Sequence, residues 1–229
     1  MDYTKLEDRI GVKFNNIEIL EQAFTHRSFL NENRDLTRGH NERLEFLGDA
    51  VLELVTTVFL YNKYPEKTEG DLTSLRSSLV NTISISEVAD ELGFNEYLFL
   101  SRGEEKDTGR ARQYILANTF ESVVGAIFLD QGYEAANIFI KAFLTPKIDK
   151  IVAEGTWVDA KSKLQEISQD KFSITPVYET VNESGPDHNK TFTVSVVYGG
   201  GLTERGSGKS KQEAEQEAAR KVLTREKWL

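Results

Sequence analysis

The sequence contains no cysteine. That excludes disulfides, cysteine-ligated zinc and a thiol nucleophile, and it agrees with a reducing compartment. Histidine is also scarce: His26, His40 and His188 are scattered along the chain, so no Ser-His-Asp set is indicated, and a lone histidine is more often structural than catalytic. No apolar stretch approaches the ~20 residues needed to span a bilayer. The opening MDYTKLEDRI is charged and lacks the apolar centre of a secretory signal. There is no internal repeat and no low-complexity tract. These absences predict a cytoplasmic protein with no membrane partner; no organic cofactor is expected.

What is present is enough chain, 229 residues, for one large or two modest domains. The net charge of −9 argues at first against a polyanionic partner, but it is unevenly spread. Residues 156–229 hold 11 Lys+Arg and 11 Asp+Glu, so the acid excess lies wholly in residues 1–155. An acidic first part joined to a neutral second part suits a metal-binding unit followed by one that tolerates a polyanion.

The acidic part carries the most informative segment, His40-Asn41-Glu42-Arg43-Leu44-Glu45-Phe46-Leu47-Gly48-Asp49. Glu42, Glu45 and Asp49 share one face of a helix, while Leu44, Leu47, Val51, Leu54, Val55 and Val58 read as the opposite, buried face. Acidic helix faces are mostly solvated surface, and like charges so spaced destabilise the helix. Two details point further. Phe46 lies on the acidic side, which suggests a partner surface. Gly48 sits mid-helix, where glycine costs about 1 kcal/mol relative to alanine, which suggests that something approaches closely. Cations between the carboxylates would relieve the repulsion, and oxygen ligands suit Mg²⁺ or Mn²⁺.

Periodicity predicts helices throughout residues 1–152. Leu6, Ile10, Ile17, Leu20 and Phe24 mark early segments, and the 42–62 helix stops near Pro65. Further helices are expected over 72–83, 84–98, 112–129 and 134–152, with a loop at Ser101–Gly109 and a stop at Gly132. Residues 153–158 read as a linker. Beyond it, a helix over 159–169, strands at 177–181 and 192–198, a weaker strand at 201–205 and an Ala-rich helix over 211–223 follow. The expected architecture is an all-α domain (1–152) followed by a small α+β domain (159–227) of order α-β-β-β-α.

A second polar pair repeats the geometry of the first. Asn118 and Glu121 share a face, with Leu116, Phe120, Val123 and Ile127 opposite and Gly125 one turn beyond Glu121. Two helices packed by their apolar stripes would present Glu45, Asp49, Asn118 and Glu121 along one edge. Such oxygen sites hydrolyse phosphodiesters with metal ions ~4 Å apart.

Arg43–Leu52 (RLEFLGDAVL), extended by Asn41-Glu42, resembles the signature helix of the ribonuclease III family. The resemblance continues through Ala23–Ser28, Glu69–Leu72, Leu75–Asn81, Gly103–Glu105, Asn118–Glu121 and Gly125–Asp130 in the expected order. Residues 159–223 resemble the double-stranded-RNA-binding domain that these enzymes carry at the C-terminus. The resemblance implies an endoribonuclease that cuts double-stranded RNA with Mg²⁺ (Mn²⁺ substituting) and leaves two-nucleotide 3′ overhangs, a 5′ phosphate and a 3′ hydroxyl. Processing of ribosomal RNA precursors and structured messenger RNA would be its task. It implies metals at Glu45, Asp49, Asn118 and Glu121, accessory acids at Glu42 and Glu69, and a homodimer into whose partner subunit Phe46 inserts. This chain departs from the family at one point: Asn118 stands where the pattern has Asp. An amide oxygen still coordinates Mg²⁺ but brings no charge. The alternative reading is therefore a catalytically weakened double-stranded-RNA binder.

For the second part the resemblance implies three contacts with A-form RNA, read by shape across ~16 bp. The first is the opening helix with Ser162, Gln165 and Glu166. The second is the loop Gly185-Pro186-Asp187-His188, with His188 entering a minor groove. The third is Lys209, Ser210 and Lys211 at the start of the last helix, where lysine charge, free N–H groups and the helix dipole favour phosphate. Gln212 stands where the family usually has a further lysine.

Overall fold

The computed structural model describes residues 2–186 and 190–228. The chain divides into two units, one ending at Trp157 and the other beginning at Val158. Among the described residues no helix is long and apolar enough to cross a membrane.

The first unit is built of α1 (Thr4–Ile10), α2 (Ile17–Ala23), α3 (Arg27–Glu32), α4 (Glu42–Lys63), α5 (Glu69–Leu79), α6 (Thr82–Glu91), α7 (Arg102–Lys106), α8 (Arg110–Phe143) and α9 (Lys147–Glu154). Its two longest helices, α4 and α8, form the most extensive packing pair. Leu44, Val51, Leu52 and Val55 of α4 are buried, as are Leu116, Phe120, Val123 and Ile127 of α8. Phe120 continues an aromatic seam, with its ring 6.3 Å from Phe94 and 5.4 Å from Phe139.

Five local expectations are corrected. Residues 72–83 do not form one helix, because Asn81 accepts from the Ser84 N–H and starts α6. Leu54 and Val58 do not face the core; they are 53% and 40% exposed. α4 is long enough that its buried stripe drifts around the axis, and Leu60 takes over as the buried residue. The segment Ser101–Gly109 is not all loop: Ser101 accepts from the Glu104 N–H and starts the short helix α7. Residues 84–98 do not form one helix, because Gly93 adopts a left-handed φ of 69° and a 3₁₀ turn, Phe94–Tyr97, follows. The stretch 134–152 breaks ahead of Pro146, which precedes α9. At Gly132 the backbone leaves helical geometry (φ 82°, ψ −174°), and α8 is kinked there.

The second unit has the order α-β-β-β-α: α10 (Ala160–Phe172), β1 (Val177–Ser184), β2 (Thr191–Tyr198), β3 (Leu202–Gly208) and α11 (Lys211–Arg225). The strands form one antiparallel sheet in chain order, with a register shift between Thr180 and Asn182. Val196 and Tyr198 pack with Leu164 of α10 and Ala218, Ala219 and Val222 of α11. β3 is as regular as its neighbours and not the weak strand expected, because Gly206 lets α11 lie directly on it. A Cβ at Gly206 would fall 2.1 Å from the Ala218 nitrogen.

Candidate active site and RNA-binding surface

The acidic edge is set by how closely α4 and α8 cross. A Cβ on Gly48 would lie 1.7 Å from the Glu121 carbonyl oxygen, and one on Gly125 would lie 2.2 Å from the Leu44 carbonyl oxygen. Only two glycines allow backbone to meet backbone here. The contact brings the turn carrying Glu45 and Asp49 against the turn carrying Glu121.

The start of α4 is fixed independently. Asn41 N–H donates to the Thr25 carbonyl (2.9 Å), and the Asn41 carbonyl accepts from the N–H groups of Leu44 (2.8 Å) and Glu45 (2.9 Å). Thr25 itself bridges to Phe99. His26 caps α3, accepting from the Ser28 N–H, and burial lowers its pKa. That is the structural role expected of an isolated histidine.

All three carboxyls are raised above the ordinary carboxylate range, burial being the largest cause in each. Burial, then the charges of Asp49 and Glu45, push the Glu121 carboxyl up to about 7. Glu45 is raised by burial and by Glu42 and Asp49. Asp49 is raised by burial and by Glu53. Among the described residues none of the three has an ion-pair partner or accepts a hydrogen bond. The Asn118 amide is half-buried beside them on α8 and likewise makes no side-chain hydrogen bond among those residues.

Among the described residues, no three His, Asp or Glu side chains are arranged to hold a metal ion as they stand. Unpaired like charges repel one another. The donor set nevertheless has the chemistry of a hard divalent cation site: only oxygen ligands, net negative charge and no competing cation.

The two remaining acids are placed differently. Glu42 is bracketed by Arg27 (3.6 Å) and His40 (3.8 Å). Glu69 opens α5, accepts from the Thr73 hydroxyl at 3.2 Å, and lines a cavity of about 490 Å³ with Thr57, Leu60, Tyr61, Leu72 and Arg76. Thr57 lies about two helical turns beyond Asp49, so within one chain Glu69 does not join the trio. Phe46 is 83% exposed and Tyr61 70%. With Leu54 and Val58 they make an apolar strip along α4 that sequence reasoning misses; the spacing 54, 58, 61 is the signal that could have revealed it.

On the second unit Ser162, Gln165 and Glu166 are exposed together on α10. The Ser162 hydroxyl donates to Asp159 at 3.0 Å, and Glu166 pairs with Lys163 at 3.9 Å. His188 lies outside the described residues. Ser210 caps α11, accepting from the Glu213 N–H. Lys209 Nζ lies 3.5 Å from the Thr191 hydroxyl, and Lys211 lies 3.2 Å from Glu183.

Residues 16–148 match the family model described as Ribonuclease-III-like, and residues 160–225 match that of the double-stranded RNA binding motif. The chain belongs to the ribonuclease III family. It is 45% identical to Ribonuclease 3 of Streptococcus gordonii, over 96% of this chain and 95% of that one. It is 46% identical to Ribonuclease 3 of Bacillus licheniformis, over 97% and 89%. Among solved structures, the nuclease domain of ribonuclease III from Campylobacter jejuni is 36% identical with a TM-score of 0.58, covering 63% of this chain and 97% of that one. As a ribonuclease III family member with a double-stranded-RNA-binding motif, the chain is a double-strand-directed endoribonuclease.

Proposed function

We propose that this endoribonuclease cuts with divalent metal ions, Mg²⁺ in the first place and Mn²⁺ in its stead, held by Glu45, Asp49, Asn118 and Glu121. One observation carries the reading. Three carboxylates lie at the α4–α8 crossing with no ion-pair partner among the described residues, and burial, then the charges of Asp49 and Glu45, lift Glu121 to about 7. A fold that keeps such repulsion unrelieved offers a strong site for a 2+ ion.

When bound, the metals would make a water nucleophilic and stabilise charge on the phosphate and leaving oxygen. The chain's own residues prepare that chemistry. Glu45, Asp49 and Glu121 supply anionic oxygens, Asn118 a neutral one, and the Gly48–Gly125 contact holds the two edges together. Glu42 is kept in place by Arg27 and His40 beside the edge. Hydrolysis adds water across the P–O3′ bond: the hydroxide joins phosphorus, leaving a 5′ phosphate, and the departing 3′ oxygen takes a proton.

The active form is read as a homodimer. Phe46 stands out on the same face of α4 as the cavity lined by Tyr61 and Glu69. A two-fold pairing would seat each Phe46 in the other chain's cavity and bring each Glu69 toward the other chain's acidic edge. Two centres so related would cut both strands and leave two-nucleotide 3′ overhangs. Ser162, Gln165, Glu166, His188, Lys209, Ser210 and Lys211 are read as RNA contacts. The substrates are read as ribosomal RNA precursors and structured messenger RNA in the cytoplasm.

Mapping both ends of the products from a perfectly paired RNA tests the proposal. Staggered cuts with 5′ phosphates that require Mg²⁺ and cease in EDTA support it. Binding without cutting favours the weakened-binder reading, for which the neutral Asn118 is the motive.

A further inference from the structure

We propose that Ser122 is a positioning residue for the metal-binding edge. The inference rests on the assignment of Glu45, Asp49, Asn118 and Glu121 as the metal ligands. Ser122 is fully buried. Its hydroxyl lies 2.7 Å from the Asn118 carbonyl and 3.3 Å from the Asn41 carbonyl. The first contact is the ordinary back-bond of a helical serine to the preceding turn. The second crosses to the start of α4, 81 residues away.

That crossing has a geometric consequence. The Gly48–Gly125 contact and the apolar packing on either side of it fix how near the two helices come and how they cross. A directional tie at the start of α4 adds to that packing by fixing the turn that carries Glu45. The Ser122–Asn41 approach is such a tie, the longer arm of a single hydroxyl proton shared with the Asn118 carbonyl, and among the described residues no other side-chain hydrogen bond joins the α4 start to α8. The Asn41 carbonyl also receives the Glu45 N–H. One hydroxyl thus touches the backbone of Asn118, neighbours Glu121, and acts on the turn that carries Glu45.

Asn118 makes the placement matter more. A carboxylate is attracted to a cation from any side, whereas a neutral amide contributes only through the direction of its dipole. The edge of this chain therefore depends on orientation to an unusual degree.

The test compares the full-length chain with Ser122→Ala and with Ser122→Cys, which keeps the shape with a somewhat larger atom but donates weakly. Mn²⁺ binding is measured by calorimetry without RNA, and kcat and KM are measured on a paired RNA. The expected result for both variants is an unchanged melting temperature to within a few degrees, Mn²⁺ binding weakened about three- to ten-fold, and a similar fall in kcat at fixed metal with KM for RNA unmoved. In an Asn118→Asp background the same substitutions should cost less than half as much on a logarithmic scale. Three results would each overturn the inference: Mn²⁺ affinity and kcat within two-fold of the parent, a Ser122→Cys variant equal to the parent, or a loss confined to KM. Glu121→Ala serves as the control. Should it retain cleavage, the reading of the site fails, whereas a dead Glu121→Ala beside an unaffected Ser122→Ala rejects the role of Ser122 alone.

Discussion

Gly48 of α4 and Glu121 of α8 meet backbone to backbone, so closely that a methyl group on Gly48 would fall 1.7 Å from the Glu121 carbonyl oxygen. The acidic edge exists because this approach is possible. Gly48→Ala gains up to about 1 kcal/mol of helix propensity but forces the helices apart, at a cost of about 1–3 kcal/mol or more. The expected outcome is a melting temperature lowered by several degrees and cleavage reduced at least a hundred-fold. The drop in rate should exceed what unfolding explains, which cleavage measured well below the transition will show.

Glu121 gives a pH signature. Its carboxyl is raised from 4.5 to about 7 by burial and by Asp49 and Glu45. Below pH 4.5 it is protonated whether the chain is folded or not, and the fold bears no penalty. As pH rises through 7 the folded chain must accept the charge, and stability is lost. Metal-free melting temperature should therefore fall from pH 5 to pH 8. Glu121→Gln should flatten that fall, by the equivalent of about 1–2 kcal/mol at pH 8, and Mg²⁺ should restore the parent. Parallel curves for parent and variant would show that the fall does not originate in Glu121.

Phe46, 83% exposed on α4, should be a hot spot of self-association. Phe46→Ala is expected to weaken the dimer by about 2–4 kcal/mol, roughly 30- to 1000-fold, read by sedimentation. Folding should be intact, since the ring is exposed and belongs to no core cluster of the described residues. An unaltered association constant would place the dimer contact elsewhere.

Lys211 and Glu183 are 3.2 Å apart, so a phosphate must compete with Glu183 for the lysine. Lys211→Ala should weaken duplex RNA binding about three- to ten-fold and reduce the salt slope by about one. Glu183→Gln should strengthen binding modestly. Filter binding at several salt concentrations distinguishes these from a loss of fold.

The sequence disclosed the parts of this site whose chemistry contradicts their surroundings. Gly48 inside a helix and Phe46 on an acidic face both break a local rule, and the structure accounts for the first by the α4–α8 contact. The α-β-β-β-α order was legible because strand and helix periods differ. Less could be read where a residue obeys its local rule and acts through tertiary position. Ser122 looks like any small residue on an apolar helix, and its approach to Asn41 spans 81 positions. Leu54 and Val58 fit an apolar stripe whose drift around a 22-residue helix only the packed structure reveals. Pro146 falls inside a continuing helical pattern that masks its breaking effect.

The most direct test of the account is cleavage of an end-labelled RNA duplex of about 30 bp, close to two ~16-bp footprints, in Mg²⁺ by the parent, Glu121→Ala and Asn118→Asp. The account predicts cutting by the parent, none by Glu121→Ala, and a lower Mg²⁺ requirement for Asn118→Asp, because the restored charge holds the metal more tightly. Persistent cutting by Glu121→Ala, or an Mg²⁺ requirement in Asn118→Asp that is unchanged from the parent, would contradict it.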